Sequence, residues 1–373
     1  MPDGMSVGNY IGWRGRLQGR GATLNPAPRF ESRKAEPFDD GWAALGDLFT
    51  DLPPLRTTLT PDRSRTALTY NTSPDLPFDR SVNPYKGCEH GCVYCYARPT
   101  HAYLGLSPGL DFETQIHFKP DVAQQLEREL SRPGYVPRPI QLGANTDPYQ
   151  PVERTLRLTR QVLEVLDRFG HPASIVTKGA GVLRDLDILR RMADRGLMRV
   201  WLSVTTLDGT LARRMEPRAA APARRLEAIR ALAQSGIPAG VLAAPMIPGL
   251  NDAELERILQ AAHAAGARHA GYVLLRLPHE LRDLMTAWLN EHFPDRARHV
   301  LALVRETRGG ALNDPRFGAR MAGAGTYAEA LARRFALAAR RLGFEERSSL
   351  DTAQFAAPRA PGFQAAEAQL SLL

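Results

Sequence analysis

From about residue 66 onward the 373-residue chain repeats one pattern: a short apolar run, a loop, then an amphipathic stretch. The pattern recurs six times before Pro278, and that repetition limits the possible folds more than any other feature. The first strand ends near Val82, and a helix is expected over Asp121 to Ser131 with Pro120 just ahead of it. Pro139 to Gly143 reads as the second strand. Leu156 to Phe169 follows as a helix, with Val162, Leu163, Val165 and Leu166 at helical spacing. Strands over Ala173 to Thr177, Arg199 to Thr205, Ala239 to Ala243 and Tyr272 to Leu275 then alternate with helices. Those helices are expected over Val182 to Arg195, over Ala223 to Gln234, and up to Ala265 with Asn251 or Asp252 as its cap. The apolar strands call for cover on both faces, as in parallel sheets. An eightfold barrel needs two more units, and the sequence beyond Pro278 reads as helix instead. The expected fold is α/β, a partial (β/α)6 barrel over 66–295. Around it lie an irregular Arg/Gly/Pro-rich extension (1–65), a helical region (296–347) and a mobile tail (348–373).

All three cysteines fall in one segment, Asn83 to Tyr96, as Cys88, Cys92 and Cys95. The spacing is C-x3-C-x2-C, in a loop that Gly87 and Gly91 allow to turn. Three thiolates so close together suit a soft metal centre, and on a four-iron cubane they leave one iron without a cysteine. Such an iron can chelate a small molecule, unlike a fully ligated electron carrier. The residues alone also allow a zinc site completed by His90, His101 or His117, or a trio of reduced core thiols. Zinc motifs usually pair two knuckles, and no second one follows here.

The cysteine motif, with Tyr94 before its last member, resembles the radical S-adenosylmethionine (radical SAM) superfamily. The resemblance implies a [4Fe-4S] cluster on Cys88, Cys92 and Cys95, reductive cleavage of S-adenosyl-L-methionine to a 5′-deoxyadenosyl radical, and an external electron donor of flavodoxin or ferredoxin type. In a parallel barrel the ligand would meet residues at the carboxyl ends of the strands. By chemical type, Lys178 and Arg214 suit its carboxylate, Asp147 or Glu153 its ammonium, Ser203 its ribose, and Met246 and Ile247 its adenine. Over residues 75 to 280 the order of these pieces is similar to the branch related to spore photoproduct lyase, which reverses a thymine-dimer lesion in DNA. On that resemblance Tyr94 and Tyr96 are the catalytic candidates. Lys178 and Ser203 match adenosylmethionine contacts, and Thr146-Asp147 match a Ser-Asp pair after the second strand. Where that branch carries a hydrogen-donating cysteine, this chain has Ala144. Tyr94, Tyr96 or Tyr149 are left as donors, or the adenosyl radical is consumed.

The formal charge of +8 suits a polyanionic partner such as nucleic acid, although an arginine-rich composition alone accounts for it. Only four lysines, at 34, 86, 119 and 178, stand among 48 basic residues. Against that background a lysine marks a place for a compact point charge, which singles out Lys86 and Lys178. Arg14, Arg16, Arg20, Arg29 and Arg33 make the extension basic, fit either to wrap nucleic acid or to cover the barrel's open side. No apolar run is long enough to cross a bilayer, and the start lacks the layout of a signal peptide, so the chain is expected in the cytoplasm without a membrane partner.

Overall fold

The computed structural model describes residues 19–30 and 55–357. Its strands are β1 (Thr58–Pro61), β2 (Leu68–Tyr70), β3 (Arg80–Val82), β4 (Tyr85–Lys86), β5 (Gln115–Phe118), β6 (Ile140–Leu142), β7 (Ala173–Thr177), β8 (Met198–Ser203), β9 (Ala239–Met246) and β10 (His269–Leu274). The main sheet has the order β10-β9-β8-β7-β6-β3-β2. Six neighbouring strands, β3 and β6 to β10, run parallel, and β2 is an antiparallel edge on β3. The sheet does not close. Register places Val82, Leu142, Ile175 and Val200 side by side, all buried, which is why these strands read as unbroken apolar runs. β1, β5 and β4 form a separate small sheet that the sequence pattern did not reveal.

Helices Val122–Leu130, Leu158–Arg168, Leu186–Ala193, Pro222–Gln234 and Leu255–Ala264 alternate with the parallel strands and bury one face each. Asn251 and Asp252 do not cap the last of these. Asn251 is fully buried, accepts from Ile247 N at 2.6 Å and donates to Thr205 O at 2.7 Å, while Asp252 accepts from Gly249 N at 2.8 Å. Both shape the loop after β9, because its backbone groups would otherwise be buried unpaired. Helices Leu281–His292 and Pro294–Glu306 form a second core, in which Trp288 and Val300 join Cys92, Val93 and Tyr94.

The two edges of the open sheet are tied together by the segment after Pro294–Glu306. Arg308 donates to the carbonyls of Leu274 and Leu275 at the end of β10, and Arg320 pairs with Asp75, before β3, at 2.6 Å. Residues 348–357, expected within a mobile tail, are mostly exposed but touch the body of the chain at single points. Arg199 donates to Ser348 O at 2.6 Å, and Phe355 sits against Tyr135, Phe169 and His171. An aperiodic sequence hid this because the contacts are made by single side chains and not by an element. The rest of the tail lies outside the described residues.

Glu153 is a buried structural carboxylate. It accepts from Tyr85 Oη and from the N–H groups of Leu158 at 3.1 Å and Thr159 at 3.0 Å, which satisfies the first turn of helix Leu158–Arg168. Burial outweighs those donors and raises its pKa from 4.5 to about 7. The native state then holds a proton that the unfolded chain has released, so stability is lost as pH rises from 4.5 through about 7. Glu153→Gln is expected to flatten that fall, by at most about 3 kcal/mol, in denaturation of the metal-free protein. Equal slopes in variant and wild type would contradict it.

Candidate active site at the cysteine loop

The cysteine loop leaves the carboxyl end of β3 and turns by successive one-turn backbone bonds, Gly91 N to Cys88 O, Cys95 N to Cys92 O and Arg98 N to Cys95 O. It is gripped from several sides. Cys88 N donates to Phe112 O at 2.8 Å, Val93 N to Met215 O at 2.9 Å and Arg218 N to His90 O at 3.2 Å. Gln150, fully buried, donates to Gly87 O at 3.2 Å and accepts from Glu89 N at 2.8 Å. Residues 19–25 lie across the loop's outer side. Gly21 N and Ala22 N donate to Glu113 at 2.9 and 2.8 Å, and Arg98 pairs with the same carboxylate. A Cβ on Gly21 would lie 1.7 Å from Gly91 O, so only glycine fits there. Arg20 donates to Glu113 O and Leu55 O, and Arg29 Nη1 donates to both oxygens of Glu280, so these two arginines serve the chain itself. Arg14, Arg16 and Arg33 lie outside the described residues.

Asp147, in the loop after β6, is the junction between the cysteine loop and β7. Its Oδ1 accepts from Thr177 Oγ1 at 2.6 Å and Tyr149 N at 2.9 Å; its Oδ2 accepts from Lys178 N at 2.7 Å and faces His90 Nδ1 at 3.3 Å. Burial would raise its pKa, but His90 and these donors together hold it down at about 2. Its backbone N–H is directed at the Cys88 sulfur. Burial pushes the Cys88 thiol well up and the Cys92 thiol to about 12, with Lys178 and Arg225 opposing the rise at Cys92. Arg225 and Glu216, both buried, pair beside Cys92, and Glu216 also accepts from Tyr94 Oη and Thr205 Oγ1.

Three comparisons bear on this arrangement. The radical SAM superfamily pattern matches residues 82–262. Uncharacterized proteins of Mycobacterium bovis and Mycobacterium tuberculosis are 38% identical over 232 residues, which is 62% of this chain and 68% of theirs. The chain belongs to the radical SAM superfamily. An uncharacterized protein of Methanocaldococcus jannaschii is 28% identical over 46% of this chain and 62% of its own. A tyrosine-to-phenylalanine variant of spore photoproduct lyase shares the fold, with TM-score 0.53 at 17% identity over 76% of this chain and 78% of that one. Against another structure of the lyase the chain spans 66% of the length, just under two thirds, with TM-score 0.45. As a radical SAM protein the chain is an enzyme of that class, and the superfamily implies S-adenosylmethionine and an iron–sulfur cluster.

The residues fit such a cluster. Cys88 and Cys92 are buried and Cys95 is half-buried, all in one loop. Three thiolates of one loop suit an iron–sulfur cluster, each on a different iron. Of the histidines proposed for zinc, His90 faces Asp147, and His101 Nε2 is 3.0 Å from Gln115 O while its Nδ1 is buried without a partner, with its ring 6.4 Å from that of His117.

The structure brings some expected residues together here and not others. Lys178 lies 5.6 Å from the Tyr94 ring, and its charge acts on Cys92 and Glu216. Ser203 donates to Ala244 O at 2.9 Å, and Thr146 donates to Tyr85 O at 2.8 Å, so both hydroxyls are already used. Asp147 has no oxygen left for an ammonium. Glu153 is committed to Tyr85 and the helix start. Arg214 is exposed and donates to His292 O, with its guanidinium 5.3 Å from the Phe293 ring. Met246 and Ile247 are fully buried, because β9 continues to Met246 instead of ending at Ala243. Tyr94 is buried and its hydroxyl donates to Glu216, and the buried Tyr149 donates to Asp185. Tyr96 is 46% exposed, and its hydroxyl donates to Ala144 O. Glu216, Arg225, Gln150 and Glu113 were not singled out from the sequence, since a buried charge is recognisable only once its partner is in place.

Asp147→Asn should destabilise the metal-free protein by about 2 kcal/mol at neutral pH, from the depressed pKa alone. Because the folded value is the lower one, that difference should narrow as pH falls from 3.8 toward 2. Equal unfolding temperatures at pH 7 would contradict the junction role.

Proposed function

We propose that the enzyme uses Cys88, Cys92 and Cys95 to hold a [4Fe-4S] cluster and acts on nucleic acid. When bound, the cluster supplies an electron to S-adenosylmethionine, giving methionine and a 5′-deoxyadenosyl radical that takes a hydrogen atom from substrate. The observation that carries this reading is the three-cysteine loop at the carboxyl end of β3, with Lys178 at the end of β7 directed toward it. Lys178 has no carboxylate within salt-bridge distance among the described residues, so its ammonium is available for the carboxylate of the methionine moiety. Tyr94, fixed by Glu216, forms the wall beneath it. The reductant is an external donor of flavodoxin or ferredoxin type.

The nucleic-acid reading is supported by the charge of +8 and the fold shared with spore photoproduct lyase. Ala144 stands where the lyase-like motif has its donor cysteine, so hydrogen return in this enzyme falls to Tyr94, Tyr96 or Tyr149, or the adenosyl radical is consumed. After anaerobic loading with iron and sulfide, the reduced protein should release 5′-deoxyadenosine and methionine, and DNA or RNA should stimulate that release. Lys178→Ala should weaken S-adenosylmethionine binding roughly ten- to a hundredfold while the cluster's absorbance is retained. No cleavage by a protein with its cluster intact would refute the radical reading; stimulation by peptides or metabolites alone would refute the nucleic-acid reading.

A further inference from the structure

The buried arginines of the described residues are partnered to different degrees. Arg98 pairs with Glu113 and Arg225 with Glu216. Arg199 and Arg308 leave Nε unpartnered, but their terminal nitrogens donate to oxygens of Ser348 and of Leu274, Leu275, Ala319 and Arg320. Arg276, just past the end of β10, differs. Its Nε is buried without a partner, and among the described residues its Nη1 meets only the thioether of Met321 at 3.4 Å. The acid whose charge reaches it, Asp75, is occupied by Arg320 Nε at 2.6 Å and Gly318 N at 2.7 Å. Burial and the Arg320 charge accordingly depress the Arg276 pKa. The residue is half-buried, with one guanidinium nitrogen cut off from both water and a partner, and a ligand's negative charge would offset that cost.

The position of Arg276 says which ligand. Its guanidinium is 5.5 Å from the centroid of the Tyr96 ring, and the Tyr96 hydroxyl reaches Ala144 O, so the pair spans the mouth of the sheet from the end of β6 to the end of β10. The charged groups acting on Arg276 are Arg320, Tyr96 and Asp75, with no cysteine among them, whereas Lys178 and Arg225 act on Cys92. We propose that Arg276 and Tyr96 form a nucleotide subsite, in which the guanidinium takes a backbone phosphate of a nucleic-acid strand and the exposed ring stacks the adjoining base.

This subsite rests on the nucleic-acid reading above, and the test separates the two. Binding of a fluorescein-labelled oligothymidylate is measured at low salt on the loaded full chain, beside the same oligomer with uncharged methylphosphonate linkages. Wild type is expected to prefer the phosphodiester by roughly tenfold or more. Arg276→Gln should lose roughly tenfold of that preference, Arg276→Lys should lose less, and Tyr96→Leu should weaken both oligomers equally. An undiminished preference in either Arg276 variant overturns the subsite and leaves the nucleic-acid reading standing. Wild type that binds neither oligomer overturns both, while adenosylmethionine cleavage still stands on its own assay.

Discussion

The Asp147 carboxylate is the contact on which the site depends. One side chain receives Thr177 and Lys178 from the end of β7 and faces His90 in the cysteine loop, and its own backbone N–H points at Cys88. The loop that carries the thiolates and the strand that carries Lys178 are thus fixed to one charge. A buried carboxylate survives there because every lone-pair direction is met, which is the condition under which burial does not neutralise an acid.

Charge is distributed around the loop with a purpose that follows from desolvation. Thiols pushed up by burial resist losing the protons that metal binding requires. Lys178 and Arg225 offset part of that resistance at Cys92. Glu216 tempers Arg225 and fixes Tyr94, and Glu113 does the same for Arg98 under the crossing of Gly21 over Gly91. The N-terminal segment 19–25 is in this sense part of the loop's support.

Much of the fold was legible because its signals are local. Six parallel strands follow from unbroken apolar runs such as Ile140–Leu142 and Ala173–Thr177, and the cysteine spacing announces a shared centre within a few residues. What the sequence hid depends on distant partners. Glu153 is set by Tyr85, Arg214 by His292, and residues 348–357 by the Phe355 contacts, none of which a period or spacing encodes. The extension of β9 to Met246 also could not be read, because Pro245 looks like a strand end. For the same reason Arg276 gave no signal: one arginine among many stands out only when its neighbours are seen to lack a carboxylate for it.

The central claim is that three cysteines leave one iron open and that S-adenosylmethionine takes it. Electron paramagnetic resonance of the reduced, iron-loaded protein, recorded with and without S-adenosylmethionine, tests this most directly. A cluster spectrum whose g values shift on addition of the cofactor, and do so in wild type but not after its displacement, is the predicted result. A cluster spectrum indifferent to S-adenosylmethionine, or protein isolated with stoichiometric zinc and no such spectrum, would contradict the account.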